Sequence, residues 1–190
     1  MNMNYSSEMT YEGKTFSKEN MLKGEYENCT FAECDLADAD LSGFRFMDCL
    51  FRGCDLSLAK LNDTAFRDIE FIKCKLIGLL FSDCSKFGLS MNFYECNLEN
   101  SSFAKLKLTK RDFRDTRIIG VDFTGCVLTG STFWNCDFSG AVFDGTILEK
   151  TDFRNSFNYS IDPENNKIKK GKFSLSGLQG LLTKYDIFVE

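Results

Sequence analysis

Phenylalanine or leucine returns at every fifth position through most of this chain: Phe31, Leu36, Leu41, Phe46, Phe51, Leu56, Leu61, Phe66, Phe71, Leu76 and Phe81 keep one register without a break. A five-residue period matches neither the turn of an α-helix nor the alternation of a strand. It requires a backbone that turns a corner after each short extended segment, which is a repeat architecture. The register begins at Phe16, Met21 and Tyr26 and slips by two residues after Phe81. It resumes as Phe93, Leu98, Phe103, Leu108, Phe113, Ile118, Phe123, Leu128, Phe133, Phe138, Phe143, Leu148 and Phe153.

Two residues before these centres, small or thiol side chains dominate, among them Cys29, Cys34, Ala39, Cys49, Cys54, Cys74, Cys96, Ser101, Cys126, Ser131, Cys136 and Ala141. Residues two apart in an extended segment share a face, so this position and the centre both point inward. The residue between them and the two that follow are rich in Asp, Asn, Ser, Thr, Lys, Arg and Gly, and these form the outer face and the turn. Identities repeat at spacing 20 as well: Phe31, Phe51 and Phe71 align, as do Leu36, Leu56 and Leu76, and later Phe93, Phe113, Phe133 and Phe153. Four segments closed into a square give such a coil. About seven coils, each rising roughly 4.8 Å, make a rod on the order of 34 Å long.

The motif in Ala39-Asp40-Leu41 and Cys136-Asp137-Phe138, sustained from Phe16 to Phe157, resembles the pentapeptide repeat family. That resemblance implies an all-β solenoid, a right-handed quadrilateral β-helix. On this reading residues 1–15 are an N-terminal extension or cap and residues 16–157 are the repeat rod, in two stacked segments, 16–84 and 91–157. Residues 158–190 form a C-terminal module. The slip at 82–92 is expected to bulge the wall or displace the axis, with Phe87 or Leu89 plugging the joint. It resembles the interruption between the coil segments of Qnr-type quinolone-resistance proteins.

In the C-terminal module, residues 158–172 read as a polar loop containing Asp162-Pro163. Leu175, Leu178, Leu181, Leu182 and Tyr185 then recur at three- and four-residue spacing, predicting a short amphipathic α-helix, and Ile187-Phe188-Val189 predicts a short strand. Such a module covers the open last coil, dimerises, or does both. A terminal helix and strand resemble the Qnr-type C-terminus, which implies a homodimer.

The nine cysteines all occupy the inward small position, counting Cys84, and no CxxC pair exists. They read as buried reduced thiols acting as small hydrophobes. Histidine is absent, which removes Ser-His-Asp and Cys-His catalysis and the commonest zinc and haem ligand. Gly-rich phosphate loops are missing as well. The chain therefore reads as a non-enzyme with no cofactor and no metal. Without a leader-like segment or a long apolar run, no membrane association is expected and the cytoplasm is the default location.

Surface recognition remains. The formal net charge is −5, and residues 1–60 carry 11 acidic and 6 basic side chains, against 8 and 10 in residues 61–120. Acidic ladders at spacing 20 pair Asp35 with Asp55, Asp48 with Asp68, and Asp63 with Asp83. Carboxylates repeated at the coil rise could imitate the phosphates of a nucleic-acid backbone, or could simply solvate the surface. A basic run through Lys105, Lys107, Lys110, Arg111, Arg114 and Arg117 opposes them, although the acidic total disfavours direct nucleic-acid binding. Arg111 falls on an inward slot, so it should reach an acidic partner or mark a distortion. The Qnr-type resemblance implies a DNA mimic that binds DNA gyrase or topoisomerase IV and protects it from quinolones. The alternative is a general protein-interaction scaffold, to which an aromatic patch around Trp134, Phe157 and Tyr159 would point.

Overall fold

A computed structural model describes residues 4–16 and 21–187. The chain winds into an all-parallel β-solenoid of about eight turns and, among the described residues, contains no α-helix. Each coil lays one segment on each of four walls. Wall 1 holds β1 (Asn4–Ser7), β3 (Gly24–Glu27), β5 (Arg45–Met47) and β7 (Ala65–Arg67). Wall 2 is a sheet of eight strands: β2 (Thr10–Glu12), β4 (Thr30–Ala32), β6 (Leu50–Arg52), β8 (Ile69–Ile72), β9 (Met91–Tyr94), β10 (Asp112–Arg114), β11 (Thr132–Asp137) and β12 (Asp152–Phe157). Walls 3 and 4 pair through single bridges, such as Asp35 to Asp55 and Ser102 to Asp122.

Every centre from Tyr26 to Phe153 is buried. On wall 2 the rings of Tyr11, Phe31, Phe51, Phe71, Phe93, Phe113, Phe133, Phe153 and Phe173 form one continuous stack, with neighbouring centroids 4.7 to 5.5 Å apart. Offset-stacked aromatic pairs add about 0.5–1.5 kcal/mol each beyond burial, so this column runs as a spine through the rod.

The small inward slot has a polar duty besides its size. Cys49 Sγ donates to Tyr26 O and Cys54 Sγ to Phe31 O, both at 3.3 Å. The hydroxyls of Thr64, Ser131 and Thr146 make the equivalent bond to Leu41, Leu108 and Phe123 O at 2.7–2.9 Å. Each bridges a span of 23 residues to the coil below, which satisfies a buried carbonyl and accounts for the enrichment of Cys, Ser and Thr.

Corners are made by a left-handed residue every five positions: Asp38, Gly43, Asp48, Gly53, Leu58, Asp63 and Asp68 all have φ between 50° and 71°. Asp and Asn tolerate this region better than other non-glycine residues, because their short side chains bond locally.

The slip is confined to one wall. Across it β8 pairs with β9 in register, Ile69 with Met91 and Phe71 with Phe93, while walls 3 and 4 bridge Lys75 to Asn97 and Leu80 to Ser102. Those walls simply lengthen one coil to 22 residues, and the extra two bulge from wall 1. Leu89 packs against the core, whereas Phe87 is 77% exposed and lies under the Arg67 guanidinium.

Both ends extend further than the five-residue pattern shows. β1 and β2 pair with β3 and β4, so the first coil starts at Asn4, within the stretch expected to be an extension. Its wall 1 centre is Ser6, opposite Tyr26, and a polar centre hides the register. At the other end Lys167 and Lys172 bridge to Ile147 and Asp152, so part of the expected loop starts a further coil. The expected α-helix is instead two 3-10 turns, Leu178–Leu181 and Thr183–Tyr185. Gly177 and Gly180 lie so close to Tyr159 that an added Cβ would fall 2.0 and 2.3 Å from its atoms. Close approach sets these glycines, and their low helix propensity leaves the segment in short turns. Of the expected terminal strand, Phe188 and Val189 lie outside the described residues, and Ile187 is exposed and not in a strand.

Candidate recognition surface and C-terminal module

The repeat geometry places the three acidic ladders on different edges. Asp35 and Asp55 are adjacent outward residues of wall 3. Each accepts the N–H two residues on, from Ala37 and Ser57, at 3.0 Å. The same bond recurs at Asp40, Asn97, Asp122 and Asp137, so a carboxylate or amide just before a Leu or Phe fastens the corner. At Asp55 burial raises the carboxyl pKa, but the Ser57 hydroxyl and N–H and the Lys75 ammonium, 3.5 Å away, outweigh it and hold it below the ordinary range. Along that wall the column runs Asp35, Asp55, Lys75, Asn97, Arg117, Asp137, so its charge does not persist.

Asp48 and Asp68 occupy the left-handed corner between walls 1 and 2, with φ of 51° and 50°. Asp63, with φ 56°, lies on the corner between walls 4 and 1, and its N–H donates to Asp83 O at 2.9 Å. Asp83 itself ends a 3-10 turn, Phe81–Asp83. These two ladders flank wall 1 in the N-terminal half, while Asp35 and Asp55 face the opposite side. Beyond the slip the charge of the corner between walls 1 and 2 inverts. The left-handed corner column reads Glu8, Asn28, Asp48 and Asp68, then Lys110, Gly130, Lys150 and Lys170.

Arg111 marks the distortion and meets an acidic residue only through an intervening hydroxyl. It sits just above the bulge, donates from Nη1 to Ser90 Oγ at 2.5 Å and from Nε to Thr109 O at 3.0 Å, and Ser90 Oγ donates in turn to Asp68 at 2.8 Å. The buried Ser90 hydroxyl thus couples the inward cation to an Asp of the acidic corner.

At the C-terminal end Tyr159 and Ile161 are buried, Leu181 packs on the core, and Ile161 N–H donates to Gly180 O at 2.8 Å. Lys184 bonds Asp162 at 2.8 Å and Glu164 at 2.6 Å, which fastens the turns to the preceding loop and raises the Lys184 pKa. Leu182 is half-buried. Leu175, Leu178, Tyr185 and Ile187 point away from the rod, Leu175 being 87% exposed. The spacing of Leu175, Leu178, Leu181, Leu182 and Tyr185 predicts one common helix face; the structure instead divides them between covering the core and facing outward.

Trp134 is exposed on wall 2 in an outward column that runs Arg52, Ile72, Tyr94, Arg114, Trp134 and Asn155. Phe157 is exposed too, but Tyr159 is buried, so the three do not form one patch. Among the described residues no helix is long and apolar enough to cross a membrane, and no group of three His, Cys, Asp or Glu is arranged to hold a metal ion.

A four-walled solenoid with fastened corners and outward side chains in columns defines a class of protein whose surface is a ruled lattice of charges. The chain belongs to the pentapeptide repeat family: the family's pentapeptide repeat region matches residues 25–87 and 81–153. No curated protein matches it in sequence. Among solved structures it is similar to a trypsin-treated variant of QnrB1, a plasmid-mediated fluoroquinolone resistance protein, with 23% identity, a TM-score of 0.63, and coverage of 96% of this chain and 99% of that one. Full-length QnrB1 is 20% identical with a TM-score of 0.46, covering 97% and 100%. HetL of the cyanobacterium Nostoc sp. strain PCC 7120, a pentapeptide repeat protein involved in heterocyst differentiation regulation, is 14% identical with a TM-score of 0.48, covering 88% and 86%. At these identities the likeness to solved structures is one of fold.

Proposed function

We propose that the chain is a non-catalytic, Qnr-like binding rod that engages a type II topoisomerase, DNA gyrase or topoisomerase IV, by presenting carboxylates in place of DNA phosphates. The observation that carries this reading is the pair of acidic ladders, Asp48 with Asp68 and Asp63 with Asp83, flanking wall 1 of the N-terminal half. Each ladder repeats at the coil rise of roughly 4.8 Å, so the two together present one carboxylate per about 2.4 Å of axis. Duplex DNA presents one charge per about 1.7 Å, close enough for a basic DNA-binding surface to be met with complementary charge. The exposed Leu175, Leu178, Tyr185 and Ile187 at the far end serve to join two copies end to end, doubling the rod.

The inversion of charge beyond the slip favours a second reading, a protein-interaction scaffold with a partner of mixed charge, for which the Arg52, Tyr94, Arg114 and Trp134 column supplies residue types enriched in interface hot spots. Purified gyrase, assayed for supercoiling with and without ciprofloxacin across a titration of the protein at low and moderate salt, separates the two. The topoisomerase reading expects restored supercoiling in drug, or inhibition without drug at high protein, with either effect weakened in Asp48→Asn/Asp68→Asn. Absence of both effects at both salts overturns it in favour of the scaffold.

A further inference from the structure

Wall 1 is open between the bulge and the coil above it. On its lower side the bulge is tied down, with Ser85 and Ser90 donating N–H bonds to Thr64 and Phe66 O at 2.9 and 3.0 Å. On its upper side, among the described residues, no backbone hydrogen bond joins residues 86–89 to residues 107–109, although the wall is bridged again from Lys107 to Val127, Ile147 and Lys167. The backbone N–H groups of Lys86, Phe87, Gly88, Leu89 and Lys107 consequently have no acceptor among the described residues.

The gap is a concave pocket of about 280 Å³ lined by Lys86, Gly88, Leu89, Lys107, Thr109 and Arg111. Three of the six are cationic and none is acidic. No ion pair involves Lys86, Lys107 or Arg111 among the described residues. Arg111 is held in place through Nε and Nη1, which leaves Nη2 unpartnered, and the buried Thr109 Oγ1 also has no partner among the described residues. We propose that this opening is a binding site for a phosphate-type oxyanion, either the free ion or a phosphate monoester. Such a group is dianionic and tetrahedral, and it accepts several hydrogen bonds at once. Two flexible ammonium groups, a fixed guanidinium and unpaired amides match it, with the anion replacing the missing backbone bonds of the wall. The site is independent of the topoisomerase reading, because it uses the basic side of the inversion.

The test is an amide NMR titration of the whole chain with inorganic phosphate, and separately with phenyl phosphate, at ionic strength held constant with sodium chloride. Saturable shifts centred on Gly88, Leu89, Lys107 and Thr109 are expected. Lys86→Ala/Lys107→Ala, both on exposed side chains, should weaken binding about tenfold or more, whereas Lys150→Ala/Lys170→Ala on the neighbouring corner should leave it unchanged. Saturation with phosphate alone assigns the free ion, and a tighter response to phenyl phosphate assigns the ester. Shifts that remain linear in both titrations, or that are lost equally in the two double variants, would overturn the proposal.

Discussion

Replacing Phe113 with alanine removes a ring from the middle of the wall 2 spine. The side chain is fully buried, stacks on Phe93 at 5.0 Å and on Phe133 at 4.7 Å, and meets Phe103 edge-on at 6.3 Å. Phenylalanine-to-alanine changes in cores cost about 3–5 kcal/mol, and the two lost stacking contacts place this one at roughly 4–5 kcal/mol. Against a total stability of about 5–15 kcal/mol, that is roughly a quarter or more of what holds the rod together. With a guanidinium slope of about 4 kcal/mol per molar, the unfolding midpoint should fall by roughly 1 M. Phe113→Leu keeps most of the volume and should lose less than about 2 kcal/mol. Far-UV circular dichroism and Trp134 fluorescence, followed together through denaturation, read both the cost and whether the halves of the rod still melt as one. A loss below about 1 kcal/mol for alanine would refute the burial argument, and a leucine variant as stable as the parent would show that the stack is packing without ring-specific contribution.

Asp55 separates the two roles of a repeat carboxylate: Asp55→Ala loses the N–H bond to Ser57 and should lower the melting temperature by about 2–4 °C, whereas Asp55→Asn keeps an acceptor and should melt within about a degree of the parent. Burial pushes the thiols of Cys49, Cys126 and Cys136 up to about 12 from an ordinary 9.0, so the unfolded chain loses those protons first. Stability should therefore be retained below pH 9 and fall progressively as pH rises toward 12; denaturation midpoints that rise over this interval would contradict the assignment. If the outward C-terminal side chains join two copies, Leu175→Asp/Leu178→Asp should halve the mass measured by solution scattering, and an unchanged mass removes that interface.

Much of the fold was legible because a five-residue period admits few backbones. The burial of Leu36, Phe71 and Phe133 follows from their register, and the inward direction of the cysteines follows from their spacing to those centres. What stayed hidden depended on contacts between coils. Nothing in the order of residues shows that Cys54 reaches Phe31 O across 23 positions, or that Asp55 fastens its own corner. The spacing between Phe81 and Phe93 revealed an insertion but not its location. Only pairing on the other walls shows that wall 1 absorbs it. Of the candidate site, the ladders exist as columns, yet which ladders share a wall depends on how corners are counted around the square. Segment charges showed the middle third turning basic, but the pattern that places the inversion on one corner is the column itself, Asp48 and Asp68 against Lys110, Lys150 and Lys170. It is interrupted by the bulge and so drops out of a strict 20-residue count.

That inversion gives the molecule a direction. Residues 1–60 carry 11 acidic and 6 basic side chains, against 8 and 10 in residues 61–120 and 9 and 7 in residues 121–190, so the negative excess gathers at the N-terminal end of a stiff axis and the rod carries a lengthwise electric dipole superimposed on its net charge of −5. In the field of a basic partner such a body experiences a torque before it makes contact, and it turns its N-terminal coils forward during diffusion. The slope of charge along the axis therefore selects which end arrives first, and productive encounters become a larger share of all collisions than a uniformly charged rod of the same total would achieve.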